Sequence, residues 1–339
     1  MKIYIERKTM TPNYKITEEI LNLVQKISEL ATQLSFETRE LHLRKENRIR
    51  SIQSSLAIEN NSLSLEQVTD IIEGKRVLGP LKDIHEVQNA YEAYEKVFRL
   101  NPYSIDDFLL AHQLLTQDLV KHPGQFRLGD VGVFDGSGKV VHLGARPQFV
   151  PNLVSDLFAW AKASQISDIV KSCIVHFELE IIHPFEDGNG RMGRMWHTLL
   201  LAQWKELFFW LPVEELIQAR QQKYYDALGT ADAQADCAEF VELMLEIVRD
   251  ALSKVTIVSH GSDQDGDQDT DQDKTAIQRL LSVLGNDTLS AAELMKRLHL
   301  SHRPTFRKNY LHPALEQNQI ERTLPDKPNS KNQKYRKHR

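Results

Sequence analysis

The sequence predicts a mainly α-helical protein that carries one small β-hairpin and ends in a winged helix-turn-helix domain. Apolar residues recur at helical spacing through most of the first 255 positions. Residues 131–144, VGVFDGSGKVVHLG, break this period, and their β-forming residues on both sides of a DGSG turn predict a hairpin. An acidic run then precedes three short helical stretches and a second strand-forming segment, which is the pattern of a winged helix.

Apolar spacing and capping residues predict the individual helices. In Ile16–Leu41, apolar residues recur at spacings of three and four, which makes an amphipathic helix. Ser64 followed by Gln67 is a capping box that opens a helix over Leu65–Glu73. Further helices are predicted over Asp83–Phe98, Ser104–Leu119, Phe177–Ile182, Arg191–Lys205, Val213–Leu228 and Ala233–Val255.

The composition excludes several classes of protein. A chain of 339 residues, 41% hydrophobic and 26% charged, can bury a core without disulfide staples. Cys173 and Cys237 are too few and too far apart for a disulfide framework or a cysteine metal cluster. The N-terminus, MKIYIERKTMTPNYK, has no apolar signal region, and no window approaches the ~18 uncharged apolar residues of a membrane span. We therefore expect a soluble, cytoplasmic protein without membrane contact.

Charge divides the chain unevenly. Residues 260–273, HGSDQDGDQDTDQD, contain six Asp and no large apolar residue, which predicts a flexible acidic linker. Residues 275–339 hold thirteen Lys and Arg against five Asp and Glu, a net charge of +8. The preceding residues therefore carry −13 of the total of −5. Such a split indicates different partners for the two parts.

The strongest candidate for a site of chemistry is His183–Arg194, with the sequence HPFEDGNGRMGR. Gly188, Asn189 and Gly190 form a predicted turn in which backbone N–H groups converge, and an apolar helical stretch follows at once. A glycine-rich loop that opens a helix binds anions through its unpaired N–H groups and the helix dipole. The segment therefore predicts an anion site.

Charged residues around this turn indicate which anion it binds. Arg191 and Arg194 lie in the first turn of the predicted helix, where cations oppose the helix dipole, so their presence indicates a polyanion. Asp187 supplies a hard oxygen ligand suited to Mg²⁺, which usually accompanies phosphates. His183 is the residue of the run whose pKa suits a general base near neutral pH. Together these groups predict phosphoryl or nucleotidyl transfer.

This segment resembles the signature of the Fic family, H-x-F-x-[DE]-G-N-G-R-x-x-R, at every fixed position. The resemblance extends over about residues 50–255 and includes the lead-in His176–Phe185, HFELEIIHPF. It also includes the GQFR segment Gly124–Arg127 and the predicted hairpin, which corresponds to the family's flap over the target side chain. The resemblance implies a Fic-type helical bundle, and most Fic proteins transfer AMP from ATP to a hydroxyl of a target protein.

The resemblance also implies a role for each residue of the motif. His183 would deprotonate a Ser, Thr or Tyr hydroxyl, which would attack the α-phosphorus and release pyrophosphate. Asp187 would hold Mg²⁺ between the α- and β-phosphates, and Gly188–Gly190 would form the anion hole. Arg191 would contact the phosphates, and Arg194 would contact the γ-phosphate.

Residues outside the charged part of the motif receive supporting roles from the same resemblance. Phe185 would anchor the loop in the core rather than take part in the chemistry. Val131 and Val133 of the hairpin would pair with the backbone of the target by strand addition. Tyr224 and Tyr225 would line part of an adenine pocket, although paired tyrosines at helical spacing also suit simple packing.

A second element of the family is an inhibitory helix with the motif [ST]-x-x-x-E-[GN], which Ser55–Asn60 resembles as SLAIEN. The helix would cover about residues 48–60, upstream of the catalytic motif. The Glu59 carboxylate would pair with Arg194 through charge-assisted hydrogen bonds. It would then occupy the arginine that receives the γ-phosphate, and ATP would bind in a non-productive pose.

These interpretations divide the chain into four segments with distinct partners. They are an N-terminal helical region (1–90), a catalytic core (91–256), an acidic linker (257–274) and a winged-helix-like domain (275–339). The basic residues of the last domain, which suit either DNA or a protein surface, are Arg303, Arg307, Lys308, Lys331, Lys334, Arg336, Lys337 and Arg339. The family resemblance also makes a homodimer an expectation.

Two other functions fit the same residues. One is a DNA-binding regulator that uses the Fic-like domain as an ATP sensor, although the intact His183, Asp187 and Arg194 favour a working enzyme. The other is a different Fic chemistry, such as removal of AMP, phosphorylation, or transfer of UMP or phosphocholine. The retained G-N-G-R-x-x-R sequence favours AMP transfer among these.

Overall fold

A computed structural model describes residues 11–34, 41–134 and 140–260, together with 280–281, 283–285, 287–298, 306, 310–316, 319–324 and 333–338. The chain divides into two compact units, residues 1–263 and residues 264–339. No helix among the described residues combines the length and the apolar character that a membrane crossing requires.

The first unit is built almost entirely of helices. In chain order they are α1 (Glu18–Gln33), α2 (Leu41–Ile58), α3 (Leu65–Ile72), α4 (Leu81–Lys96), α5 (Ile105–Thr116), α6 (Val150–Ala163), α7 (Asp168–Ile182), α8 (Asn189–Trp204), α9 (Val213–Ala219), α10 (Gln221–Gln234) and α11 (Ala238–His260). Single 3₁₀ turns cover Val97–Arg99, Pro147–Phe149 and Glu206–Trp210.

Helices α7 and α8 form the centre of this unit. One group of buried apolar side chains fills the space among α1, α7, α10 and α11, and a second fills the space among α2, α4, α5, α6 and α8. Helix α7 contributes to both, with Phe177 in the first group and Leu179 in the second. The short loop that joins α7 to α8 is therefore held between two packed helices.

A β-hairpin interrupts the helices between α5 and α6. Its strands β1 (Gly132–Phe134) and β2 (Val140–Leu143) are antiparallel, with Val133 opposite His142 and an irregularity of register between Val133 and Phe134. This pair confirms the predicted hairpin. The DGSG turn predicted between the strands lies outside the described residues.

The second unit combines short helices with a three-stranded antiparallel sheet. Its described elements are β3 (Leu289–Ser290), α12 (Ala291–Arg297), α13 (His312–Glu316), β4 (Ile320–Arg322) and β5 (Lys334–Lys337). The strand order is β3-β5-β4, and a small apolar core lies beneath it. The basic residues Lys334, Arg336 and Lys337 lie on β5, whereas Arg303, Arg307, Lys308, Lys331 and Arg339 lie outside the described residues. The winged-helix assignment stays a prediction.

The mainly helical prediction is confirmed, and its errors have physical reasons. Helix α7 begins at Asp168 rather than Phe177, because a helix buried on all sides has no amphipathic period to reveal its start. Arg220 divides the predicted helix Val213–Leu228 in two, since its backbone leaves the helical conformation there. The helix predicted to reach Leu41 ends at Gln33. Ser64 and Gln67 form the predicted capping box.

Candidate active site

The loop between α7 and α8 reverses direction through two left-handed residues. His183 follows the end of α7 with a φ of +52°, and Gly188 precedes α8 with a φ of +82°. A Cβ atom at Gly188 would lie 3.0 Å from Thr116 Cγ2, so this position needs glycine for space as well as for its backbone angle. The loop thus presents His183 and the first N–H groups of α8 together.

Side-chain hydrogen bonds close this loop from within. Asn189 Oδ1 accepts from the N–H of Phe185, and Asn189 Nδ2 donates to the carbonyl of the same residue, both at 2.9 Å. The ring of Phe185 is fully buried, as the predicted anchor role requires. The Asn189 amide is therefore held against the loop backbone, with one of its two Nδ2 N–H groups used in this bond.

His112 supports the loop from helix α5 and was missed by the sequence analysis. Its ring stacks on Phe185 with centroids 3.7 Å apart. The N–H of Gly124 donates to Nδ1 at 2.9 Å, so Nε2 carries the proton and donates to the carbonyl of Asp187 at 3.0 Å. Burial lowers the pKa of His112 to about 4, which keeps the ring neutral. A histidine 71 positions before the motif gives no local signal of this role.

Arg127 holds the C-terminal end of α7 and explains the GQFR segment. Its guanidinium donates to the carbonyls of His183 at 2.6 Å, Gly129 at 2.8 Å, Ile182 at 3.3 Å and Ala145. The carbonyls of Ile182 and His183 have no partner within the helix, so a cation that binds them stabilises the left-handed turn. Arg127 thereby joins α7, the loop and the residues that flank the hairpin.

His183 is oriented as a base. Its Nδ1 lies 3.2 Å from the carbonyl oxygen of Glu180, which can only accept, so Nδ1 carries the proton and Nε2 remains unprotonated. Burial lowers the pKa of His183 below its usual value, and the nearby Glu180 carboxylate partly opposes this effect. The neutral ring therefore prevails at physiological pH.

Arg191 lies in the first turn of α8 with its guanidinium almost fully buried. Its Nη1 is 3.6 Å from Glu86 Oε1, and its Nη2 is 3.4 Å from Asp187 Oδ1. Its Nε and Nη1 atoms have no hydrogen-bond acceptor among the described residues. Glu86, on helix α4, is a further acidic neighbour that the sequence analysis missed.

Arg194 is completely buried one turn further along α8, and helix α2 supplies its partners. Its Nε donates to Ser55 Oγ at 3.1 Å, while Nη2 donates to the Ser55 carbonyl at 3.0 Å and to Glu59 Oε1 at 2.8 Å. Glu59 Oε1 also lies so close to Gly190 that a Cβ atom there would collide with it. Asn60, at a φ of +68°, ends α2 in the left-handed conformation that Gly and Asn adopt most readily.

A buried acid stabilises this arrangement from behind. Glu214 Oε2 accepts from Ser51 Oγ at 2.8 Å, and Oε1 accepts from the Tyr94 hydroxyl at 3.1 Å and from Thr198 Oγ1 at 3.4 Å. The Tyr94 hydroxyl also contacts the side chain of Ser55. A chain of hydrogen bonds thus runs from Glu214 through Tyr94 and Ser55 to Arg194, and no local motif in the sequence announces it.

The two tyrosines predicted near an adenine pocket differ in environment. Tyr224 is 1% exposed, its hydroxyl lies 3.0 Å from His176 Nε2, and its ring packs on Phe240. This burial leaves Tyr224 little surface for direct contact with a nucleotide base, and its place in the pocket stays a prediction. Tyr225 is 45% exposed and close enough to Glu59 for the negative carboxylate to contribute to a raised pKa, after the effect of burial. Tyr225 therefore remains the candidate.

Glu180 is a further buried acid beside His183 that the sequence analysis did not select. Burial raises the pKa of its carboxyl, and the charges of Arg194 and His183 partly oppose this rise. Its Oε1 packs directly against Gly193, where an added Cβ would collide with it. The carboxyl is thus close enough to both His183 and Arg194 to feel their charges.

The hairpin leaves its predicted docking residues accessible. Val133 is 40% exposed on β1, and Val131 is half-buried, with its carbonyl accepting from the N–H of Gly144 at 3.1 Å. A Cβ atom at Gly144 would lie 3.1 Å from His183 Cβ, so the base of the hairpin contacts the left-handed histidine directly.

A divalent cation at this loop would need ligands from a bound substrate. Among the described residues no group of three or more His, Cys, Asp and Glu side chains could hold a metal ion. The side chain of Asp187 is 53% exposed and stands at the start of α8. Since Mg²⁺ is commonly held by one or two carboxylates together with substrate phosphates, one accessible carboxylate beside an anion site fits such an ion.

Comparisons with known proteins agree with the motif. A profile described as Fic/DOC family matches residues 102–201, and one described as filamentation induced by cAMP protein Fic-like, C-terminal domain, matches residues 275–337. The crystal structure of a Fic family protein from Desulfovibrio desulfuricans G20 is 47% identical, with a TM-score of 0.75. The match covers 97% of this chain and 98% of that chain.

Two relatives carry the name protein adenylyltransferase. The Culex quinquefasciatus protein adenylyltransferase Fic is 28% identical over 219 residues, which are 61% of this chain and 41% of that protein. The Caenorhabditis elegans protein adenylyltransferase fic-1 is 28% identical over 232 residues, 64% of this chain and 43% of that protein. This chain spans less than half the length of these curated relatives.

The contact between Gly193 and Glu180 generates a stability prediction. We expect Gly193→Ala to lower the free energy of unfolding of the first unit by about 1–3 kcal/mol, because the new Cβ would collide with Glu180 Oε1 and lie 3.0 Å from His176 Cδ2. Gly229, in helix α10, is the matched control. Nothing lies within 4 Å of a Cβ there, so Gly229→Ala should raise the same free energy by about 0.5–1 kcal/mol.

Urea unfolding followed by tryptophan fluorescence measures both effects. All four tryptophans lie in the first unit, so the signal reports that unit alone. Equal unfolding midpoints for the two variants would contradict the close packing of Gly193.

Proposed function

Because this chain belongs to the Fic family, we propose that it is a protein adenylyltransferase that transfers AMP from ATP to a Ser, Thr or Tyr hydroxyl of a target protein. The observation that carries the proposal is the position of a neutral, correctly oriented His183 beside the N-terminus of α8, where the loop presents unpaired N–H groups. A base next to an anion site is what nucleotidyl transfer to a hydroxyl requires.

His183 performs the proton transfer in this proposal. Its unprotonated Nε2 accepts the proton of the target hydroxyl as the oxygen forms a bond to the α-phosphorus of ATP. The bond between the α-phosphorus and the bridging oxygen breaks, and pyrophosphate leaves with the electron pair. The lowered pKa of His183 keeps Nε2 available for this step at neutral pH.

The first turn of α8 binds the phosphates. The backbone N–H groups of Asn189 and Gly190 and the helix dipole stabilise the negative charge, while the Gly188 N–H donates to Asp187 Oδ1 at 2.6 Å until the carboxylate turns to a metal ion. Arg191 has unpaired donors close to this turn, and Arg194 receives the γ-phosphate once Glu59 has left it. Asp187 would hold Mg²⁺, which when bound neutralises charge on the phosphates. Tyr225 contacts the base of the nucleotide.

Glu59 is the brake on this activity. Its carboxylate lies 2.8 Å from Arg194 Nη2 and against Gly190. It therefore occupies the space that a γ-phosphate would need and pairs with the guanidinium that would bind this phosphate. Two negative groups cannot share one guanidinium without strong repulsion. ATP therefore binds productively only when α2 moves Glu59 away from Arg194.

The second unit contributes a further contact in this proposal. Its net charge of +8 between residues 275 and 339 suits a DNA backbone or an acidic protein surface. Among the described residues, Lys334, Arg336 and Lys337 share one strand of its sheet. The family resemblance also leads us to expect a homodimer. The molecular mass of the protein in solution tests this expectation.

Replacement of Glu59 tests the brake and the activity together. In Glu59→Gly protein incubated with Mg²⁺ and ATP, we expect AMP transfer to rise severalfold or more over wild type, because Arg194 is released. The readout is the intact mass, which increases by about 329 Da for each AMP attached. Adding His183→Ala should abolish the increase, since no base remains.

Other changes in mass would indicate a different activity. A gain of one phosphate would indicate kinase chemistry, and a gain of one UMP with UTP would indicate a uridylyltransferase. Labelling of Glu59→Gly protein at the wild-type level would exclude Glu59 as the brake. If neither protein transfers AMP, even when a cell extract supplies possible targets, the ATP-sensing regulator becomes the better assignment.

The hydrogen-bond chain behind Arg194 provides a separate prediction. Tyr94→Phe removes the hydroxyl that joins Glu214 to Ser55, so we expect helix α2 to dock less firmly and basal AMP transfer to rise about 2- to 10-fold. In the Glu59→Gly background the same change should add nothing. Tyr91→Phe, one turn earlier on α4, is the control and should match wild type. A fall of activity in Tyr94→Phe would mean that the hydroxyl serves the active conformation instead.

A further inference from the structure

His142, on strand β2 of the hairpin, has two hydrogen-bond partners that can only accept. Its Nδ1 lies 3.2 Å from Asp232 Oδ2, and its Nε2 lies 2.9 Å from the carbonyl oxygen of Ile181. A neutral imidazole has one N–H group and can satisfy only one of these partners. Both acceptors are satisfied at once only when both ring nitrogens carry a proton, that is, when the ring is an imidazolium.

The ion pair that results is almost buried. The side chains of His142 and Asp232 are 13% and 10% exposed. Two charges in such a place are costly to desolvate unless they are well paired, and a change that removes one partner strands the other. Because the pair is almost buried between the hairpin and helix α10, its role differs from that of an exposed surface ion pair.

The imidazolium acts on the same helix end as Arg127. His142 binds the carbonyl of Ile181, while Arg127 binds the carbonyls of Ile182 and His183. Two cations thus donate hydrogen bonds to three successive carbonyls at the C-terminal end of α7, where the helix dipole favours positive charge. The backbone of His183 is fixed in its left-handed conformation as a consequence.

We propose that His142 and Asp232 form a positioning pair, in which the imidazolium joins the hairpin to α7 and α10 and so sets the distance between the bound target segment and His183. The proposal rests on the proposed adenylyl transfer for its kinetic consequence. Its structural part, the charged state of His142, stands on hydrogen-bond geometry alone. His142 is a positioning residue, since it touches the elements that carry the reacting groups and not the substrate.

The groups that face His142 come from three elements. Asp232 faces it from α10, Glu180 from α7, and His183 from the loop, with ring centroids of the two histidines 6.2 Å apart. The positive charge on His142 adds to burial in lowering the pKa of His183. Loss of that charge should therefore shift the protonation of the base to higher pH, which a merely structural contact would not do.

The kinetic test compares variants in the unbraked Glu59→Gly protein, with self-labelling or a protein target as substrate. We expect His142→Gln to lower kcat for AMP transfer about 10- to 100-fold with little change in KM for ATP. The reason is that the hairpin and His183 lose their fixed relative position. The acidic limb of its pH–rate profile should move to higher pH. Asp232→Asn should give a smaller loss of the same kind.

His122→Gln is the matched control. His122 also faces a carboxylate, with Nδ1 3.5 Å from Glu186 Oε1, but its side chain is 40% exposed and it belongs to neither hairpin strand. We expect its rate and pH profile to match the parent. An unchanged kcat in His142→Gln, or a loss of rate with an unmoved acidic limb, would overturn the positioning role.

A second measurement does not depend on activity. Nitrogen NMR of the imidazole rings at neutral pH, with the His142 signals identified by their absence in His142→Gln, should show both nitrogens of His142 protonated. A neutral tautomer would overturn the proposal even in an active enzyme. If Glu59→Gly protein transfers no AMP while His142 is an imidazolium, the proposed function fails and the charged pair stands.

Discussion

The structure of the site depends on one buried cation. Arg194 is completely enclosed, and a buried guanidinium without partners costs several kcal/mol, so the fold has to bring acceptors to it. Helix α2 does so with Ser55 and Glu59, and the chain from Glu214 through Tyr94 holds that helix in place. Docking of α2 and pairing of Arg194 are therefore one event. In the proposed cycle a γ-phosphate competes with Glu59 for the same guanidinium, so inhibition follows from the pairing requirement.

A second constraint concerns backbone carbonyls at the end of helix α7. The chain turns left-handed at His183, which leaves the carbonyls of the last turn without helical partners. Arg127, which precedes the hairpin, and His142, on its second strand, bind them. The element proposed to hold the target is thus tied to the residue proposed to remove its proton. Burial keeps that residue neutral, so geometry and protonation support the same role.

Local patterns predicted much of the fold and the central loop. The amphipathic helices, the capping box at Ser64 and the hairpin depend on neighbouring residues, and each is present. The helix α7 was predicted too short because complete burial removes its polar face. Helical spacing does not say which of two adjacent rings faces the core, and only the structure shows that Tyr224 is the buried one. His112 and Glu214 were missed because their partners lie far away in the chain. Glu180 was missed because its burial beside His183 depends on tertiary packing.

By itself the sequence determined the chemistry: a histidine, a carboxylate, a glycine turn and two arginines within twelve positions, with an SLAIEN segment upstream. These residue types act through charge and hydrogen-bonding capacity, which are properties of the side chains. The tertiary structure alone decided how they are used. Packing set the tautomer of His183, bonded the Asn189 amide to the loop, enclosed Arg194 and brought Glu59 to it across 135 residues of chain. Such long-range pairings depend on burial, because a polar group removed from water has to find its partners within the fold.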